Sequence, residues 1–127
     1  MMDKPAFIDS RTWTIVRGRA LPGAEDRQRQ IAGFDQQRFS RSHVLCVGAG
    51  GIISHVAPTL CRKGIGTLTL IDDDRVEVSN LNRQRFYSTD VGRNKAVALA
   101  TNLQEECISA TELRGFDVPP GSVHDRI

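Results

Sequence analysis

The stretch HVLCVGAGGIISHVAPTLCRKGIGTLTLIDDD, residues 43–74, constrains this chain more than any other. His43 to Val47 is a short apolar run of the kind a sheet buries on both faces, and it ends in a glycine cluster. Ile52, Ile53, Val56, Leu60 and Cys61 then recur at helical spacing as far as Arg62. Pro58 falls inside that helix and is expected to kink it, because proline has no N–H to donate. Gly64 and Gly66 end the helix, and TLTLI (67–71) reads as a second strand. Further on, 93–108 reads as a helix with Val97, Ala98, Leu99 and Leu103 on its apolar side, and 111–118 as a third strand closed by PPGS. Strand, helix, strand, helix, strand is the order of a parallel sheet covered by helices. The expected strands are 43–48, 67–72 and 111–117, and the expected helices 51–63 and 93–108.

The flanks and composition narrow the setting. Residues 1–24 show no period and contain Pro5, Pro22 and Gly23, so they read as an N-terminal arm with a possible edge strand at Trp13–Val16. From Glu25 to Ser40 the apolar Ile31, Phe34 and Phe39 suggest a short helical entry broken near Gly33. At 127 residues the chain is one small domain or part of a larger one. A net charge of +2 is too mild to announce nucleic acid or a membrane surface, and neither is expected as a partner. Cys46, Cys61 and Cys107 include no C-x-x-C pair, which argues against a disulfide or zinc framework and fits a reducing compartment. The first residues lack the apolar core of a signal peptide, and no apolar run approaches the ~18 residues of a membrane span. A cytoplasmic protein is expected.

The first turn, GAGGII (48–53), follows the first strand directly and opens the helix. Gly48 permits a tight turn, Gly50 lets backbone approach a phosphate, and the helix opening near Gly51 turns free N–H groups toward an anion. This is the start of a Rossmann-like unit, although Ile53 stands where a third glycine is usual and should widen helix–strand packing. Asp72 lies about 24 residues beyond Gly48, where a carboxylate usually accepts from ribose hydroxyls. Up to this point a nicotinamide dehydrogenase and an ATP-using enzyme fit equally well.

The stretch VSNLNRQRFY (78–87) separates them. Four arginines stand between positions 75 and 93 in a chain holding 14 arginines against 3 lysines, and arginine suits bidentate contacts to phosphate. Surface solvation is the plainer account of Arg83 and Arg85. An enzyme that attacks the α-phosphate of ATP nonetheless needs preorganised cations, because charge builds on the phosphoryl group and on departing pyrophosphate. Arg83 and Lys95 are candidates for those cations, and Asn80 for a contact to ribose or phosphate that adds no charge.

Taken together, GAGGI, LIDDDRVEVSNLNRQ and VGRNKA resemble the adenylation domain of the ubiquitin-activating-enzyme-like group, which includes the ThiF and MoeB-type adenylyltransferases. The likeness spans about residues 25–118. It implies the nucleotide-binding half of such a domain over 25–127 and Mg-ATP-dependent adenylation of the C-terminal carboxylate of a ubiquitin-like or sulfur-carrier protein. It also implies that Gly48, Gly50 and Gly51 meet phosphate and that Asp72 meets the ribose. Asp74 would hold the loop, and Asn80, Arg83 and Lys95 would surround the triphosphate. RQRQI (27–31) matches the family's N-terminal signature, which makes Arg29 a finger reaching the ATP of a partner subunit and implies a homodimer. A carboxylate with a pKa of ~3.5 is already ionised at neutral pH, so no general base is needed. His43, His55 and His124 accordingly read as structural or solvated.

The family's magnesium aspartate and catalytic cysteine fall in a later half for which GSVHDRI leaves no room, so no metal ligand is assigned and none of the three cysteines is a nucleophile. The chain therefore reads as truncated at its C-terminus, silent alone, with the 43–48 strand left as an exposed apolar edge. Two other readings stay open: a non-catalytic or split nucleotide or ubiquitin-like-protein binding module, and, more weakly, an NAD-dependent dehydrogenase.

Overall fold

A computed structural model describes residues 13–122. Its strands are β1 (Trp13–Arg17), β2 (His43–Val47), β3 (Thr67–Asp72) and β4 (Glu112–Asp117), and its α-helices are α1 (Gln36–Ser40), α2 (Ile53–Arg62) and α3 (Lys95–Asn102). One sheet contains all four strands in the order β1-β4-β3-β2. β2 pairs with β3 and β3 with β4 in parallel, as the alternating pattern requires. β1 pairs antiparallel with β4, Trp13 opposite Phe116 and Arg17 opposite Glu112, so the sheet is mixed rather than wholly parallel. Both α-helices expected between the parallel strands form, with shorter ends. α2 starts at Ile53 instead of 51 because the glycine turn occupies 48–51, and the 93–108 segment passes from α3 into a 3-10 turn over Leu103–Glu106.

β3 is the centre of the core. Leu68 and Leu70 on β3, Leu113 on β4, and Ala96, Leu99 and Ala100 on α3 are all fully buried, with Ala57 and Cys61 of α2 beside them. Gly115 of β4 lies directly under Ala96 and Ala100, so α3 sits almost in contact with the sheet backbone. α2 runs through Pro58 without interruption, and Ile53 packs half-buried on the core. The sheet's other face is less covered: Trp13, Ile15 and Val47 are exposed there. Among the described residues β2 has a neighbour on one side only, which makes it an edge, as the sequence led us to expect. Residues 1–12 of the N-terminal arm and His124 lie outside the described residues.

Candidate functional site

The site forms at the carboxyl ends of β2 and β3. Gly48 adopts φ +97°, a left-handed value that glycine takes without penalty, and its N–H donates to the Ile71 carbonyl at 2.7 Å. That bond turns the chain sharply off β2. Among the described residues the next main-chain N–H groups, those of Gly50, Gly51 and Ile52, have no acceptor, and they stand at the amino end of α2. Free donors at a helix start, with the positive end of the peptide dipoles behind them, make a seat for an anion.

Asp72 ends β3 beside that seat and is only 7% exposed. One of its oxygens accepts the Ala49 N–H at 2.8 Å and the other accepts the Asp74 N–H at 2.9 Å. Asp72 thus fixes the glycine turn and the strand exit together. The Asp74 side chain is exposed with no hydrogen-bond partner among the described residues, and the carboxylates of Asp72, Asp73 and Asp74 converge to within 4.8 Å of one another.

Asn94, which the sequence reading passed over, completes the scaffold. Its side chain donates to the Asp72 carbonyl at 2.9 Å and accepts from Val97 N–H as the cap of α3. With the Lys95 N–H donating to the Asp74 carbonyl, it ties the start of α3 to the end of β3. An asparagine before a helical run is a cap signal in sequence, but its reach back across 22 residues is not.

Lys95, one of the candidate cations, opens α3 and is enclosed there. It is 8% exposed, and the segment leaving β3 is tied to its helix start by the Arg75–Asn94 bridge. Among the described residues no carboxylate pairs with it and its ammonium has no hydrogen-bond acceptor. The stem is enclosed while the ammonium is not among the buried unpartnered atoms, so the charge stays open to an anion arriving from solvent.

The arginines of the loop divide the same way. Arg75 pairs with Asp117, Arg85 with Glu106 and Arg93 with Asp90. Arg83 donates only to neutral oxygens, the Ser79 carbonyl and Asn82 Oδ1, and remains exposed. Two bonds hold its loop on the first turn of α2. His55 Nε2–H donates to the Arg83 carbonyl at 2.7 Å, and Ser54 Oγ accepts the Arg85 N–H at 3.1 Å. His55 is therefore a structural residue. His43 likewise bonds Thr69 Oγ1 at 2.7 Å. Asn80 is buried; its Oδ1 accepts the Glu77 N–H, which leaves its amide N–H groups unpartnered among the described residues. Arg29 belongs to an exposed 3-10 turn and pairs with Glu25 at 2.7 Å.

A glycine turn with free N–H groups, an acidic strand exit and two cations without counter-charges among the described residues stand together at this edge of an α/β unit. The chain belongs to the ThiF family, whose model matches residues 25–118. It is 36% identical over 101 residues to the adenylyltransferase and sulfurtransferase MOCS3 of Caenorhabditis briggsae, covering 76% of this chain and 25% of the relative. It is 43% identical over 76 residues to the sulfur carrier protein adenylyltransferase of Thermus thermophilus, covering 59% and 28%. Among solved structures, the tRNA N6-threonylcarbamoyladenosine dehydratase TcdA of Escherichia coli in complex with AMP matches with a TM-score of 0.64 at 33% identity, over 84% of this chain and 43% of that one. E. coli MccB with ATP matches with a TM-score of 0.57 at 36% identity, over 60% and 23%. The chain thus spans about a quarter of the length of the curated relatives it matches. No helix among the described residues is long and apolar enough to cross a membrane.

Proposed function

We propose that this chain supplies the ATP-binding half of a cytoplasmic adenylyltransferase that activates a carboxylate, with the C-terminus of a ubiquitin-like or sulfur-carrier protein as substrate. The observation that carries this reading is Lys95, whose ammonium has no counter-charge among the described residues and whose helix starts at the same sheet edge as the glycine turn. The residues fit ATP with Mg2+ as counter-ion. The free N–H groups of Gly50, Gly51 and Ile52 and the Lys95 ammonium hold the phosphates, Arg83 approaches from its loop, and Asn80 offers its amide. Asp72 and Asp74 face the ribose; Asp74 has the freer carboxylate because both Asp72 oxygens already accept main-chain N–H groups.

The chemistry needs no base from the protein. An ionised carboxylate oxygen bonds to the α-phosphorus, the bond to the bridging oxygen breaks, and pyrophosphate departs with the electron pair. Positioned cations serve such a step because they meet charge where it develops. Arg29 acts on the nucleotide of a second subunit in a homodimer. Its Glu25 pair is exposed and inexpensive to exchange for a phosphate.

The likeness to TcdA covers more of this chain than the likeness to MccB and favours a second reading, a carboxylate borne by a small group instead of a protein tail. Exchange of labelled pyrophosphate into ATP tests both. The chain is assayed with magnesium, alone and with a second chain supplying the remainder of a family adenylation domain, and with or without carrier proteins ending in a free glycine. Carrier-dependent exchange in the complemented sample, lost in Arg83→Ala, is expected. Exchange unaffected by Arg83→Ala contradicts the assignment, and exchange that ignores every carrier but follows a small carboxylate selects the second reading.

A further inference from the structure

At the end of α2 opposite the glycine turn, a cluster of amides holds the segment that carries Arg29. Between residues 21 and 33 only Glu25 and Gln28 are less than exposed, and the large apolar side chains there, Leu21 and Ile31, are 47% and 57% exposed. A main-chain bond from the Leu21 N–H to the Ile108 carbonyl fixes where the segment begins, but no apolar side chain anchors its 3-10 turn. Polar contacts do so instead. Gln28 Nε2 donates to the Lys63 carbonyl at 2.9 Å and also to Gln36 Oε1, while Gln36 Nε2 donates to the same carbonyl at 3.0 Å. Lys63 caps the carboxyl end of α2, where helix carbonyls lack partners of their own. Gln36 opens α1 and is only 3% exposed, so leaving its amide unbonded would be costly. Gly64 leaves space for this latch. A Cβ there would stand 2.7 Å from Glu25 Oε2 and 2.9 Å from Gln36 Nε2. Glu25 Oε1, in turn, accepts from Arg29 at 2.7 Å. Arg29 is thus tied to one spot on both sides, through Glu25 and through its neighbour Gln28.

That spot is remote from the anion seat of the same chain. α2 separates the two, and its ten residues span ~15 Å, more than one arginine side chain extends. A latched Arg29 is therefore available only to the nucleotide of a second copy. We infer that Gln28 and Gln36 are positioning residues for Arg29, holding its turn on the end of α2 so that the guanidinium is already ordered when two chains meet. The inference rests on the role proposed above for Arg29 in a homodimer. An exposed finger that had to be ordered at each encounter would give up part of its transition-state stabilisation to that ordering.

Two variants and two measurements test it. Gln28→Ala cuts the link to the turn while sparing the Gln36 bond to the Lys63 carbonyl, and Gln36→Leu removes both. Brief tryptic digestion of the folded 127-residue chain, followed by mass spectrometry, reads the latch alone, because cleavage after Arg27 and Arg29 reports how often the turn opens. Severalfold faster cleavage there is expected in both variants, with cleavage after Arg62 at the parent rate in Gln28→Ala. Pyrophosphate exchange in the complemented sample reads the consequence. Arg29→Ala should lower kcat with little change in the KM for ATP, Gln28→Ala should do the same more weakly, and the double variant should equal Arg29→Ala. A purely structural role for Gln28 would instead lower exchange by the same factor in both backgrounds. That result, or unchanged cleavage after Arg27 and Arg29 in Gln28→Ala, would overturn the inference even where Gln36→Leu fails to fold. Parent-rate exchange by Arg29→Ala, or none in any sample, would count against the proposed function itself, and the digestion tells that failure apart from loss of the latch.

Discussion

The cations of this molecule fall into two populations. One is matched: Arg17 and Arg114 share Glu112, Arg62 and Arg85 share Glu106, and Arg75 and Arg93 pair with Asp117 and Asp90. In the other, at the carboxyl edge of β2 and β3, Arg83 has only neutral acceptors and Lys95 has none among the described residues. Matched surface pairs add little to stability. On the proposed reading, unmatched cations beside free N–H groups are held for an anionic ligand. The same residue types therefore carry different meanings in the two populations, and substitution should reveal it.

The largest effect is expected at Lys95. Lys95→Met keeps the stem and removes the charge, so MgATP affinity should fall by about 2 kcal/mol or more, roughly thirtyfold in Kd, by calorimetric titration. The melting temperature should hold, since methionine keeps the enclosed stem and no ion pair among the described residues is lost. A loss of stability with unchanged affinity would place Lys95 in the matched population. Asn94→Ala comes next. Loss of the α3 cap and of the bond to the Asp72 carbonyl should cost about 1–2 kcal/mol by denaturant unfolding, and would weaken nucleotide binding only secondarily. Arg62→Ala, in the matched population, should change stability by less than about 1 kcal/mol and leave MgATP affinity untouched.

The smallest effect is a pH dependence. Glu112 is held below the usual carboxylate range, first by the hydrogen bond from Arg114 and then by the charges of Arg114 and Arg17. A carboxyl whose folded pKa is lowered stabilises the fold above its unfolded value and loses that contribution as pH falls through the folded one. The melting curves of the parent and Glu112→Gln should therefore differ at neutral pH and converge in acid. Curves that stay parallel down to pH ~2 would show that Glu112 contributes nothing through its charge.

Legibility in the sequence followed locality. The β2–turn–α2–β3 unit could be read because each piece announces itself: an apolar run, glycines, a 3.6-residue period and glycines again. The antiparallel β1–β4 pairing could not, because Trp13–Arg17 has no strong pattern and its partner lies some hundred residues away. Arg83 and Lys95 stood out by type and position, yet the enclosure of Lys95 at a helix start beside the Arg75–Asn94 bridge is a tertiary feature that no periodicity records. Likewise the three aspartates at the β3 exit look alike as letters, and only the main-chain N–H groups around them make Asp72 the one that holds the turn.

The central claim is that the unmatched cations and the glycine turn form one anion seat. An amide NMR titration of the 15N-labelled chain with MgATP tests it most directly. Progressive shifts at Gly50, Gly51, Ile52 and Lys95, abolished in Lys95→Met while the rest of the spectrum is preserved, are the predicted result. Shifts confined to other surfaces, or unchanged at the turn in Lys95→Met, would contradict it.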